Sequence, residues 1–183
     1  MGELDSLQQS GEIVQRLLVR RVAVLFFPGA GEQLLRGDLI QAEQYFTMAF
    51  AVIDRRTGRL DLVQAGHPHP AVLRADGTVD SLGNGGLPVG LIEGARYETI
   101  TTTLSPGDRL FMVSDGVTEA ADAAGALLDD EGFADMIRAK PHLRGLAMLE
   151  AIQWDLADYT YGEMADDVSA VLFEFNGAKI NIG

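Results

Sequence analysis

Residues 104–120 read LSPGDRLFMVSDGVTEA, and this stretch decides which fold class the chain can adopt. Ser105 to Asp108 combine serine, proline, glycine and aspartate, which is the composition of a tight turn. The segment Arg109–Ser114 that follows is a nearly continuous apolar run, which predicts a short, buried strand. This strand ends at Asp115-Gly116, so a carboxylate is expected at the end of a rigid element.

The segments around this strand have the patterns of further strands. The aromatic and β-branched run YFTMAFAVID (45–54) is followed by the turn Arg56-Thr57-Gly58, which predicts a hairpin with 60–65. Asp76-Gly77 is a strong two-residue turn signal between two more short strands. The predicted strands are 45–54, 60–65, 71–74, 79–82, 97–104, 109–114 and 168–175.

Helical periodicity occurs before and after most of the strands. Apolar spacing predicts helices at 12–26 and 32–41, and again at 129–139 and 144–159. This order predicts an α+β sandwich of antiparallel strands with helices outside the packed sheets, rather than a doubly wound parallel fold. We expect the polar residues 1–10 to be a flexible segment and residues 11–183 to form one domain.

Composition excludes several classes of function. The 183 residues include 14 basic and 27 acidic side chains, a net charge of −13, and so acidic a surface repels nucleic acids and anionic lipid. The absence of cysteine excludes disulfides, zinc–thiolate sites and thiol nucleophiles. No apolar run reaches the roughly 18–20 residues that span a bilayer. These features favour a cytoplasmic protein with neither nucleic acid nor membrane as a partner.

Two acidic positions are candidates for a site because each adjoins a predicted strand. Asp115 follows the apolar run and precedes Gly116, and Asp166 and Asp167 directly precede the final strand. A carboxylate at a strand end is held by rigid backbone, as a site for a hard divalent cation requires. Aspartate is also a common turn former after strands, so the residues alone leave both interpretations open.

The segment GHPHP (66–70) suggests a different metal site, since His67 and His69 could face the same way. No third ligand is arranged nearby in the sequence, and a rigid turn between two strands is the favoured interpretation. The chain contains no G-x-S-x-G nucleophile elbow around Ser114. The glycine-rich stretch 83–86 has no Lys-Ser/Thr or helix after it, so we interpret it as a flexible connection rather than a phosphate-binding loop.

Several segments together resemble one known family. YFTMAFAVID, QAGHPHPAVLRADG, GLPVGL, LSPGDRLFMVSDGVTEA and ADDVSAVLFEF occur in the order found in the SpoIIE/RsbU branch of the PPM (PP2C-like) serine/threonine phosphatases. The resemblance runs from about residue 46 to residue 175. It implies a PP2C-like β-sandwich flanked by helices, in agreement with the order of the predicted elements.

The resemblance also implies a site and a substrate class. Asp115 and Gly116 match the family's S/T-D-G motif, and Asp166 and Asp167 match its D-D/N motif. In that family such aspartates bind two Mn²⁺ or Mg²⁺ ions, which activate a water that attacks a phosphoserine or phosphothreonine. The implied substrate is a phosphorylated STAS-type anti-sigma-factor antagonist, and the implied full protein has a sensor or receiver domain upstream.

The sequence departs from the family at its start. The family's G-D-x-x-D and D-x-x-G-H-G motifs, which supply the other metal ligands, do not precede the first predicted helix. Residues 1–10 read MGELDSLQQS, and Gly37-Asp38 matches as a dipeptide only. The chain is therefore either a fragment of a longer domain, incomplete at its N-terminus, or a degenerate member of the family. In both cases we expect weak metal binding, little activity as an isolated chain and a tendency to form a homodimer through an uncovered edge.

Two other hypotheses come from the residues. One is a binding or regulatory module that keeps the fold without the chemistry. The other is a metal enzyme that uses His67 and His69. Metal titration of Asp115→Asn and His67→Ala variants distinguishes the phosphatase from the histidine enzyme, and turnover of a phosphopeptide distinguishes it from the binding module.

Overall fold

The computed structural model describes residues 21–26, 45–163 and 166–177, the first of these ranges by its backbone alone. Its strands are β1 (Arg21–Phe26), β2 (Met48–Asp54), β3 (Arg59–Ala65), β4 (Ala71–Leu73), β5 (Val79–Ser81), β6 (Thr99–Thr103), β7 (Arg109–Val113) and β8 (Ala170–Glu174). Its helices are α1 (Asp115–Thr118), α2 (Asp129–Arg138) and α3 (Gly145–Tyr159).

The described strands form two antiparallel sheets. The first has the order β1-β2-β3-β6, and the second has the order β5-β4-β7-β8. All pairings between neighbouring strands are antiparallel. β7 and β8 are far apart in sequence but adjacent in the sheet, with Arg109 opposite Glu174 and Val113 opposite Ala170.

Two apolar layers hold the sheets and helices together. One lies between the sheets and includes Leu62, Leu110 and Met112. The other lies between the second sheet and the helices and includes Phe111 and Phe133, whose rings meet edge to face with centroids 6.1 Å apart. Because successive β7 side chains enter opposite layers, all five of its residues are buried.

A charged cluster anchors α3 at the end of these strands. The Arg109 guanidinium is 1% exposed and donates to the carbonyl oxygens of Leu143 at 2.5 Å and Pro141 at 2.8 Å, in the loop before α3. Glu174 Oε1 accepts a hydrogen bond from the backbone N–H of Gly145 at 3.2 Å. This carboxylate satisfies a donor at the start of α3, where no side chain from the helix itself provides a cap.

The structure confirms the predicted antiparallel sandwich with helices and places strands or helices within the predicted ranges from residue 45 onward. One prediction is wrong: a helix does not continue to residue 26, because Arg21–Phe26 is a strand paired with β2. The β-branched and aromatic sequence RVAVLF suits a strand. All six of its residues pair with residues of β2. The sequence also did not predict α1. The predictions for 1–20 and 32–41 lie outside the described residues.

Among the described residues, no helix combines the length and apolar character that crossing a membrane requires.

Asp108, which is 2% exposed, ties together the turns before β7 and after β4. Its Oδ1 accepts from the Ala75 N–H, and its Oδ2 accepts from the Ser105 N–H and Arg74 Nη1, each at 2.9 Å. Because Asp108→Ala leaves these donors without their acceptor, we expect it to lower the free energy of unfolding by about 3 kcal/mol in urea denaturation.

The matched control is Asp76→Ala. Asp76 also bonds a backbone N–H and a hydroxyl, those of Thr78, but in an exposed turn. We expect this variant to lose less than about 1 kcal/mol. Equal losses in the two variants would show that burial does not determine how much Asp108 contributes to the free energy of unfolding.

Candidate functional site

The end of β7 and the segment before β8 meet at Gly116. A Cβ atom at position 116 would lie 2.4 Å from the carbonyl oxygen of Asp167 and 3.5 Å from the carbonyl carbon of Asp166. No side chain larger than hydrogen fits so close to a backbone. The structure therefore brings together the two acidic segments that the sequence singled out, Asp115-Gly116 and Asp166-Asp167.

Ser114 fixes this approach through hydrogen bonds. Its hydroxyl donates to the carbonyl oxygen of Asp167 at 3.1 Å and accepts from the Ser169 N–H at 2.9 Å. Its own N–H donates to the Ser169 carbonyl at 2.9 Å. Ser114 is 1% exposed, so its hydroxyl has a structural role here.

The aspartates differ in exposure. Asp115 is half-buried and begins the single turn of α1, while Asp166 and Asp167 are exposed. Asp115 Oδ1 accepts from the N–H of Gly116 at 3.1 Å, and Asp166 Oδ1 accepts from the N–H of Asp167 at 2.7 Å. These short-range bonds orient one oxygen of each carboxylate relative to the backbone.

Carboxylate oxygens are the donors that Mg²⁺ and Mn²⁺ prefer. Within the part of the chain that the structure describes, however, no three His, Cys, Asp or Glu side chains are grouped so that they could hold a metal ion. The described residues therefore have the right donor chemistry but do not complete a metal site by themselves.

His67 lies close enough to Asp115 to interact with its charge, a proximity that the sequence did not predict. The ring is 3% exposed, and its Nδ1 is 2.9 Å from the carbonyl oxygen of Pro68. Burial lowers the pKa of His67, although the Pro68 carbonyl and the Asp115 charge oppose this shift. The one signal in the sequence was that His67, like Asp115, lies two residues after the end of a strand.

The GHPHP segment connects β3 to β4, as the prediction of a turn between two strands requires. Its two rings interact with different parts of the molecule. His69 Nδ1 lies 2.7 Å from Asp130 Oδ2 in the first turn of α2, whereas the His67 ring lies near Asp115. The segment thus connects the candidate site to the helical layer.

The glycine-rich stretch 83–86 is arranged around Gln64, which is buried. Gln64 Oε1 accepts from the Gly85 N–H at 2.8 Å, and Gln64 Nε2 donates to the His67 carbonyl at 2.5 Å. A Cβ atom at Gly83, where φ is +122°, would lie 2.0 Å from Gln64 Oε1. Gln64 therefore links this loop to the backbone of the histidine turn.

Two packed antiparallel sheets, a helical layer over one of them and acidic residues at converging strand ends define a PP2C-like domain. The family model for stage II sporulation protein E (SpoIIE) matches residues 29–176, and the chain belongs to this family. A curated relative, Protein IcfG of Synechocystis, is 24% identical over 143 residues, which are 75% of this chain and 22% of that protein.

Solved structures share the fold. The SiaA PP2C domain of Pseudomonas aeruginosa superposes with a TM-score of 0.66 at 23% identity, covering 79% of this chain and 56% of that chain. The SpoIIE phosphatase domain of Bacillus subtilis superposes with a TM-score of 0.62 at 18% identity, covering 91% of this chain and 85% of that chain. The chain thus spans about half of the SiaA structure and about a fifth of IcfG.

Gly116→Ala tests the close approach at the site. Since the added methyl group would overlap the Asp167 carbonyl, we expect a loss of about 1–3 kcal/mol in the free energy of unfolding, and weaker Mn²⁺ binding. Urea denaturation and calorimetric titration measure the two effects.

Gly132→Ala in α2 is the control, because its methyl group would meet the flexible end of the Leu128 side chain instead of backbone. Alanine also favours a helix over glycine. We expect this variant to keep its stability and its Mn²⁺ binding. Equal destabilisation of both variants would contradict the importance of the contact at Gly116.

The lowered pKa of His67 predicts acid sensitivity of the metal-free protein. The unfolded chain protonates this ring near its ordinary pKa of about 6.5, while the folded chain protonates it only at lower pH. The contribution of the neutral His67 ring to folding stability is therefore complete above about pH 7.5. It is lost as the pH falls through the ring's pKa in the unfolded chain toward its lower pKa in the folded chain.

We expect His67→Gln to flatten the dependence of unfolding free energy on pH, measured in chelator between about pH 8 and pH 5.5. If His67→Gln kept the parent slope, the ring would not be the group responsible.

Proposed function

We propose that this chain is part of a metal-dependent protein serine/threonine phosphatase domain of the PP2C type. The observation that supports this most is the close approach of Asp115-Gly116 to Asp166-Asp167, held by Gly116 and Ser114. These are the four residues that match the motifs of the SpoIIE/RsbU phosphatases. Membership of the SpoIIE family and the PP2C-like fold support the same function.

The carboxylates of Asp115, Asp166 and Asp167 and the backbone of Gly116 would hold Mn²⁺ or Mg²⁺, with Asp115 and Asp166 as the main ligands. When bound, the ions supply the activated water and neutralise charge on the phosphoryl group. The chain's own residues set the positions of these ligands: Ser114 joins the two acidic segments, and the half-buried backbone of Asp115 starts α1. We infer that further ligands come from outside the described residues.

For the substrate we propose a small phosphoprotein, with a phosphorylated STAS-type antagonist as the first choice, in a cytoplasmic bacterial signalling pathway such as stress-dependent regulation of a sigma factor. The support is the similarity to a Mycobacterium tuberculosis structure that contains RsbU and RsbW domains, at 22% identity and a TM-score of 0.60. A sensor or receiver domain upstream and a homodimer complete this proposal.

A second candidate is a binding or regulatory module with a PP2C-like fold and no turnover. One observation favours it: the described residues do not group three ligands that could hold an ion. Both candidates place a partner protein next to Asp115 and Asp166, but only the phosphatase releases phosphate.

Mn²⁺ titration and phosphate release distinguish the candidates. For the 183-residue chain we expect weak Mn²⁺ binding by calorimetry and little release of phosphate from a phosphoserine peptide, because two ions about 3.5–4 Å apart repel strongly unless several anionic ligands surround them. Asp115→Asn and Asp166→Asn should each abolish the residual binding.

Asp76→Asn, which removes an exposed charge elsewhere, should leave Mn²⁺ binding unchanged. Binding that survives both site variants would overturn the metal assignment. Robust turnover by a monomer, abolished by Asp115→Asn, would instead support the phosphatase and overturn the expectation of an incomplete site. Light scattering in the same buffer reports the oligomeric state.

A further inference from the structure

Helix α3 is apolar on two opposite faces. Its inner face carries Met148, Ile152 and Leu156, which are buried in the layer between the second sheet and the helices. A surface helix normally has one apolar stripe, as α2 does with Phe133 and Ile137 buried.

The opposite face of α3 carries large apolar side chains in contact with solvent. Leu146 is 66% exposed and Trp154 is 73% exposed, and Tyr161, just beyond the helix, is 77% exposed. These three residues alternate with Glu150 and Asp158, which are also exposed. Residues 146, 150, 154 and 158 are spaced four apart, so they form one row along the helix surface. Tyr161 lies beside the end of this row, because its N–H donates to the Asp158 carbonyl at 3.3 Å. We call these five residues the outer row.

The outer row has one sign of charge. The helix sequence GLAMLEAIQWDLADY (145–159) contains three acidic residues and no Lys, Arg or His. Asp158 lies in the last turn, where the negative end of the helix dipole makes a carboxylate unfavourable. A cation placed on this end would relieve that repulsion, so the electrostatics of the row favour a positively charged occupant.

We propose that the outer row is a docking surface for a cationic amphipathic segment of a partner protein, whose apolar side chains cover Leu146, Trp154 and Tyr161 while its basic side chains pair with Glu150 and Asp158. An aromatic anchor with charged groups around it is the usual composition of such a surface. This inference does not depend on the proposed phosphatase activity, because α3 contributes no residue to the candidate site.

A second copy of this chain is a poor occupant. A twofold contact through the outer row would bring Glu150 and Asp158 of both copies together, on molecules that each carry a net charge of −13. Like charges facing each other across an interface oppose association. A basic partner removes this repulsion, and charge complementarity therefore favours a partner protein over a second copy of the chain at the outer row.

Trp154 provides a direct measurement, because it is the single tryptophan of the chain. The probe is a 14-residue peptide of leucine and lysine with leucine at helical spacing. We expect saturable binding to the full chain, with a blue shift of tryptophan emission as the indole leaves water, and weaker binding in high salt. A scrambled peptide of the same composition and a peptide with glutamate in place of lysine should produce little or no shift.

Variants of the chain distinguish peptide binding at the outer row from general attraction between opposite charges. Leu146→Ser with Tyr161→Ser keeps all charges and the reporter, and should weaken binding about tenfold. Glu150→Gln with Asp158→Asn should weaken it by a similar factor, about tenfold. The controls are Leu91→Ser with Ile92→Ser, which alters another exposed apolar pair, and Asp76→Asn with Glu93→Gln, which removes two exposed charges elsewhere. Circular dichroism verifies that each variant is folded.

Binding that depends on both row variants and on neither control supports the proposal. Equal binding of the scrambled peptide, or equal weakening by the row and control charge variants, would show attraction by net charge alone and overturn it. A blue shift that appears with increasing protein concentration in the absence of peptide, together with a doubled mass in light scattering, would identify a second copy as the occupant and would also overturn it.

Discussion

The contact between Gly116 and the backbone of Asp166 and Asp167 is the constraint on which the candidate site depends. Two backbone segments from distant parts of the chain, each carrying aspartates, meet here. The β7–β8 ladder and the hydroxyl of Ser114 hold the two segments in place, and the missing side chain at position 116 allows the backbones to touch. Backbone packing by itself therefore brings the two acidic segments of the site together.

The rest of the sandwich supports this contact from several sides. β7 is buried between two apolar layers, so its end has little freedom to move. On the side of the first sheet, Gln64 joins the turn that carries His67 to the loop around Gly85. At the opposite end of the two strands, Arg109 fixes the loop before α3. One end of β7 therefore bonds to the segment before β8, and the other end bonds to the loop before α3.

The sequence predicted the strands after residue 45 well, because each has its own apolar pattern and is bounded by turn residues such as Asp76-Gly77. It could also predict that Asp115 and Asp166 matter, since both adjoin strands. It could not predict β1, because RVAVLF fits a strand or the end of a helix until β2 provides a partner. The proximity of His67 to Asp115 was likewise unpredictable, since it results from packing one sheet against the other.

The alternating side chains of β8 have a consequence for the precision of the acidic site. Val171 and Phe173 pack against the layer between the sheets, and Ala170 and Leu172 pack against the layer beneath the helices. A slip of β8 by one residue would exchange these two sets and displace Asp166 and Asp167 from Gly116 by about 3.3 Å. The two apolar layers therefore fix the register of β8 along β7. That register sets the position of Asp166 and Asp167 relative to Gly116, so apolar residues outside the site determine its geometry.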